Sequence, residues 1–221
     1  MKKRIKTLVD LLMTVCLTLL MAYSLIGEQN HEIIGIVMFA LFIIHQILNV
    51  GWYKGLFKGK YNAVRIIMTI INCVIFCLML TQMFAGIMMS RYLFKDLTVT
   101  SAITAFRAIH LILPYWLYIF SALHLGFHWR MILSVFKKIT VPKAVIWIMR
   151  SLALMIAAYG VYAMIHRQFF GYMFYKLQFA FFDFNEPLII FILDYLAVMG
   201  LFVFIGYYLL KLLTKKRSKQ K

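Results

Sequence analysis

Apolar residues in this chain come in long unbroken runs, not in the narrow stripes of a water-soluble helix. Six runs, at approximately 6–27, 31–50, 64–89, 103–129, 143–166 and 187–211, each reach the length of about twenty residues that crosses roughly 30 Å of hydrocarbon. Short polar and basic stretches separate them, and only three prolines interrupt the chain. The pattern predicts an all-α integral membrane protein with six transmembrane helices. The first run follows MKKRIK but has no small-residue cleavage site and contains Asp10, so it reads as a retained span.

Composition narrows the class. The chain has 221 residues, 64% hydrophobic and 14% charged, with a mean hydropathy of +0.88. A soluble domain would be about 25% charged. Cys16, Cys73 and Cys77 all lie within apolar runs and read as small hydrophobes.

Charge gives a topology. Lys2, Lys3, Arg4 and Lys6 precede the first run, and Lys54, Lys58, Lys60 and Arg65 separate the second from the third. Arg130, Lys137, Lys138 and Lys143 lie between the fourth and fifth, and Lys211 to Lys221 close the chain. The alternate connections hold only Arg91, Lys95, Arg167 and Lys176, with the acids Glu28, Glu32, Asp96, Asp183 and Glu186. The positive-inside rule places both termini in the cytoplasm. The net charge of +17 is then topogenic and attractive to anionic membrane lipid. Split among four flanking segments, it does not suit nucleic acid.

Within the runs the histidines are paired. HEIIGIVMFALFIIH spans 31–45 and HLILPYWLYIFSALH spans 110–124. Fourteen helical residues rise about 21 Å and stop about 40° short of four full turns. His31 and His45 therefore share one face of the second span, and His110 and His124 share one face of the fourth. Both spans run from outside to inside, so His31 is level with His110 and His45 with His124. A haem held between two histidines is the natural occupant of each level, and iron offsets the cost of a buried imidazole. LHLGFHW adds His128, on the same face as His124. Depth separates the two: His124 lies about 21 Å inward of His110, as His45 does of His31, whereas His128 lies about 27 Å inward. His128 then reads as an interfacial residue that contacts a propionate or a quinone.

Neighbouring residues suit a haem, although each has a plainer reading. Gly35 lies one turn from His31 and leaves room for a porphyrin, with helix packing as the competing reason. Pro114 loosens the helix four residues after His110. Arg107 and Arg91 are candidate propionate partners, and Arg91 equally reads as an interfacial anchor.

Taken in order, HEIIGIVMFALFIIHQILN, WYKGLFKGKYNAVRI, GIMMSRYLF and AIHLILPYWLYIFSALHLGFHW resemble the flavinylation-associated cytochromes of bacteria, formerly a domain of unknown function. The spacing is also similar to that of cytochrome b and ferric-reductase-like proteins. The resemblance covers roughly residues 5 to 135. It implies a four-helix di-haem core over 1–138, with His31, His45, His110 and His124 as ligands to two b haems; spans five and six lie outside that core and are expected to form a two-helix extension over 139–221. It also implies a bacterial cell membrane and an extracytoplasmic flavin-bearing or other redox partner. Members of that family often carry His where Gln46 and Tyr92 stand here, so neither position is expected to be an axial ligand.

Three further features complete the expectations. Asp10 and Arg150, both in the cytoplasmic third, are expected to pair. Asp194 is expected to contact His166 or Arg167. The aromatic loop 169–187 is expected to form an interfacial helix on the outer leaflet, or a cover or quinone dock. The function expected is transmembrane electron transfer from a quinol or cytoplasmic-side donor to an extracytoplasmic flavoprotein or ferric iron. A transporter or channel, and a haem-bearing anchor subunit of a redox complex, are the alternatives.

Overall fold

The structure, a computed structural model, describes residues 2–97, 100–133, 142–179, 183 and 185–218. Nine α-helices form among them: α1 (Lys2–Leu20), α2 (Tyr23–Ile26), α3 (Glu28–Leu48), α4 (Val50–Gly55), α5 (Ala63–Met88), α6 (Ile103–Leu133), α7 (Lys143–His166), α8 (Phe169–Met173) and α9 (Leu188–Ser218). No strand occurs among the described residues. Helices satisfy every backbone donor within their own segment, as hydrocarbon demands. Five of them, α3, α5, α6, α7 and α9, are long and apolar enough to cross a membrane, so the protein is an all-α multi-pass membrane protein. The first expected span differs. It divides into α1 and α2 around Met21 and Ala22, and α1 carries Lys2, Lys3, Arg4, Lys6 and Asp10. Lys137, Lys138, Lys219 and Lys221, used for the topology, lie outside the described residues.

The chain divides into two compact units, which interleave in sequence. Residues 1–61, 80–111 and 179–192 make the first, and residues 62–79, 112–178 and 193–221 the second. This differs from the sequential division at 138, a boundary that itself lies outside the described residues.

In the first unit α1 packs along α3. Their contact is polar as well as apolar: Lys6 donates to Asn49 at 3.1 Å, and Asp10 meets His45 at 2.7 Å. This corrects the expected Asp10–Arg150 pair. Asp10 is used by His45, and Arg150 lies 5.4 Å from the centre of the Trp147 ring. Depth alone had suggested the pairing, and it does not specify which helix faces which.

The second unit is held by small residues and rings. A Cβ at Gly126 would lie 2.5 Å from the Val203 carbonyl oxygen, and one at Gly206 would lie 2.7 Å from that of Leu123. Such glycines let α6 and α9 approach backbone to backbone, the usual way helices associate where no hydrophobic effect drives them together. On α7 the buried residues are Ala157, Gly160, Ala163 and Met164, while Trp147, Ile148 and Leu154 face outward as a lipid-contacting helix requires.

The loop 169–187 is only partly as expected. Its first residues form α8, which is tucked inward: Phe169, Tyr172 and Met173 are buried, and Tyr172 stacks on Tyr115 with ring centres 5.0 Å apart. A short segment between Gln168 (φ 52°) and Tyr175 (φ 54°) can turn its aromatics into the bundle, which a helix lying flat on lipid cannot. Residues 180–182 and 184 of the loop lie outside the described residues.

Candidate functional site

The first unit brings two of the expected ligands together. The imidazoles of His31 and His110 have ring centres 6.0 Å apart at an interplanar angle of 73°. His31 owes its position to a turn that requires glycine. Gly27, at φ 82°, ends α2 and starts α3, and its carbonyl accepts the His31 backbone N–H at 3.0 Å. Tyr23 of α2 stands edge-on to His31, 5.2 Å away between ring centres. Burial first, then the hydrogen bond to Glu28, pushes the Tyr23 hydroxyl up to about 12, so it remains a donor at 2.7 Å to that carboxylate. The His31 Nδ1 is buried and completes no hydrogen bond.

His110 is held by α5. The Gln82 amide lies 3.0 Å from the His110 Nδ1 and also donates to the His110 carbonyl at 3.3 Å. That second bond has a local cause. Proline has no N–H, so Pro114 cannot donate to the carbonyl four residues before it, which is that of His110. Gln82 supplies the missing donor. One turn along α5, Gly86 abuts the same ring: a Cβ there would lie 3.2 Å from the His110 Cε1. Neither Gln82 nor Gly86 was anticipated. Gln82 could have been, as an isolated amide inside an apolar run.

Glu32, next to His31, was also missed. Its carboxylate accepts from Ser90 Oγ at 2.8 Å and from the backbone N–H groups of Arg91 at 2.7 Å, Leu93 at 3.0 Å and Tyr92 at 3.3 Å. This ties the SRYLF turn to the start of α3. The Arg91 guanidinium pairs with Glu28 at 3.0 Å, and the Arg107 guanidinium lies 5.3 Å from the centre of the Phe179 ring. Gly35 lies one turn after His31, and a Cβ at Gly35 would meet nothing within 4 Å.

The other two expected ligands fall in different units. In the first, the His45 Nδ1 meets the Asp10 carboxylate. In the second, the His124 Nδ1 meets Asn72 Oδ1 at 2.8 Å, and the His128 ring lies 4.7 Å from that of His124. Asn72 is a further amide that sequence reasoning passed over.

The second unit also contains a buried acid. Asp194 accepts from Tyr159 at 2.6 Å and from Arg167 at 2.9 and 2.8 Å, with His166 at 3.9 Å. The contact with Arg167 is one of the two expected. A carboxylate with a guanidinium and a phenol on it is a satisfied structural pair.

Among the described residues no group of three or more His, Cys, Asp and Glu forms a cage for a bare metal ion. Family models, curated proteins and solved structures were compared with the chain, and none matches.

Proposed function

We propose that this chain carries electrons across a membrane through two b-type haems, with His31, His45, His110 and His124 as the ligands to their iron. The observation that carries the reading is the His31–His110 pair. Two imidazoles holding one iron between them, each nitrogen about 2 Å from it, would have ring centres roughly 6 Å apart, and those of His31 and His110 lie 6.0 Å apart. The surroundings fit. The His31 Nδ1 is buried without a hydrogen bond, Gly35 borders open space, and Gly86 lets the His110 ring pack closely on α5. On His110 the Gln82 amide nitrogen lies 3.0 Å from Nδ1 and is placed to donate to it. His45 and His124 face side-chain oxygens at Nδ1, of Asp10 and of Asn72, which accept from Nδ1–H and leave the Nε2 of each for iron.

Each haem supplies a one-electron Fe(III)/Fe(II) couple, and two axial histidines close it to oxygen chemistry. The protein residues orient the imidazoles and exclude water. The sixth span of this reading is α1. At 19 residues it is about 28 Å long, and the side chains of Lys6 and Asp10 are met by Asn49 and His45 of α3. Both termini are then cytoplasmic. The donor is a quinol or a cytoplasmic-side reductase, and the acceptor an extracytoplasmic flavoprotein or ferric iron.

A transporter is disfavoured by where the charged groups lie. Asp10 is used by His45 and Asp194 by Arg167 and Tyr159, so neither stands free on a path. The test is the absorption spectrum of the purified protein, oxidised and reduced, with haem extraction as the pyridine adduct. Low-spin b haem at about two per chain is expected. A folded, colourless preparation from haem-replete cells would end the reading.

A further inference from the structure

Of the four expected ligands, three have a side chain at Nδ1: Gln82 on His110, Asp10 on His45 and Asn72 on His124. His31 has none, and its Nδ1 is buried. Its ring is bordered instead by Tyr23, with ring centres 5.2 Å apart and planes at 87°. The stretch YSLIGEQNH builds this contact. The Gly27 N–H donates to the Tyr23 carbonyl at 2.9 Å, and the Gly27 carbonyl accepts from the His31 N–H at 3.0 Å, so one glycine joins the backbones of both residues. Its φ of 82° with ψ of 159° is a conformation open essentially to glycine alone. The far end of the Tyr23 ring is anchored too. Its hydroxyl donates to Glu28 at 2.7 Å, and Arg91 pairs with the same carboxylate at 3.0 Å. A chain of contacts thus runs from Arg91 through Glu28 and Tyr23 to the His31 imidazole, all within the first unit.

We propose that Tyr23 is the positioning residue of His31: its ring takes the place of a hydrogen bond at Nδ1 and holds the His31 imidazole nearly crosswise to that of His110. The inference rests on the haem reading above and concerns the His31–His110 pair alone. The outer torsion of a histidine side chain is broad, so an imidazole turns easily about it. A hydrogen bond at Nδ1 ordinarily stops that rotation and fixes the ring plane. On His31 the stop is a ring. Edge-to-face contact sets the hydrogens of one ring against the electron-rich face of the other, and turning the imidazole breaks it. The His31 plane is thereby kept at 73° to that of His110. The plainer reading of Tyr23 is an aromatic anchor at a membrane interface. Such an anchor needs neither the bond to Glu28 nor this orientation toward a histidine.

The test is low-temperature electron paramagnetic resonance of the oxidised full chain. In a low-spin ferric centre, crossed imidazole planes give one broad low-field feature, and parallel planes give a resolved three-line spectrum. The wild type is expected to show the crossed form in the signal that His110→Ala removes. Tyr23→Leu should keep the fold, move that signal toward the three-line form and leave the other signal unaltered. It should also weaken retention of that haem on detergent dilution about tenfold, the lower end of the effect of losing a residue behind a ligand. Tyr23→Phe keeps the ring and loses the bond to Glu28, so its signal should fall between those of the wild type and Tyr23→Leu. Glu28→Gln retains an acceptor for the hydroxyl and should stay near the wild type.

A merely structural Tyr23 would lower the melting temperature when replaced by leucine and leave both signals in place, and that result overturns the proposal. So does a wild-type signal of three-line form on the His31–His110 pair, or a Tyr23→Leu change confined to the other signal. If Tyr23→Leu releases the haem, Tyr23→Phe decides, and an unaltered signal there refutes the mechanism. A wild type without haem bands removes the haem reading itself, an outcome distinct from two signals that ignore residue 23.

Discussion

The two units of this protein are assembled from different materials. In the first, helices meet through polar side chains inside apolar surroundings: Lys6 with Asn49, Asp10 with His45, Ser90 with Glu32 and Gln82 with His110. In the second, contact is mostly backbone against backbone at Gly126, Gly160 and Gly206, and ring against ring around Tyr115, Tyr118, Phe169, Tyr172 and Tyr195. Its one buried acid is fully satisfied by Arg167 and Tyr159. Small-residue packing is the ordinary solution for helices in lipid. A row of polar pairs costs more to bury, and two of these four engage a histidine. The contrast is between a unit joined largely by polar side-chain pairs and one joined largely by small residues and rings.

The strongest challenge to that division is a bulky residue at a close approach. Gly126→Leu would force a side chain into the Val203 carbonyl and the Gly206 Cα, backbone atoms with no rotamer to give. A loss of about 3 kcal/mol or more is expected, since overpacking typically costs 1–3 kcal/mol where side chains can shift. Thermal unfolding in detergent measures it. The same substitution at Gly35, where a Cβ meets nothing within 4 Å, should leave the melting temperature of the haem-free protein nearly unchanged. Equal losses at the two sites would erase the distinction between packing glycines and open ones.

A smaller effect sharpens the comparison within the second unit, which contains one expected ligand and its neighbour. His124 is oriented by Asn72, and His128 lies beside it. His124→Ala is expected to remove one haem of two, and His128→Ala to keep both. Asn72→Leu should keep the fold and weaken retention of that haem by roughly 10–100-fold, the usual effect of losing a partner behind a ligand. Haem content after detergent dilution reads all three. Loss of a haem in His128→Ala, with His124→Ala unaffected, would reverse the assignment that depth suggests.

Much of the fold was legible because lipid imposes one rule on every span. The fifth expected run, 143–166, matches α7 at both ends, bounded by Pro142 and by the polar HRQ segment. The last helix runs past its expected end at 211 to Ser218, because KLLTKKRS consists largely of good helix formers that need no bilayer. The turn at Met21 and Ala22 gave no warning, since neither residue is a helix breaker. For the site, spacing alone put His31 level with His110. Their supports stayed hidden because Gln82, Asn72 and Gly86 lie in apolar runs where charged residues drew attention first. The α8 segment was misread because aromatic content does not distinguish a helix facing lipid from one facing tyrosines.

The smallest expected effect is at Gly86, and it separates the two uses of glycine most cleanly. If Gly86 serves only to shorten a helix contact, Gly86→Ala should destabilise the protein. If it serves to seat an imidazole, the outcome divides. Alanine in a helix interior is favoured over glycine by roughly 0.8–1.0 kcal/mol, so stability should hold or rise. The new methyl would sit 3.2 Å from the His110 Cε1, closer than the ring tolerates without a shift of a few tenths of an ångström. On the haem reading, that shift would reorient the His110 imidazole. Low-temperature electron paramagnetic resonance of the oxidised protein should then show a changed signal for the haem on His110 and an unchanged one for the haem on His45. A lower melting temperature with both signals unaltered would place Gly86 with the packing glycines of the second unit and take it out of the site.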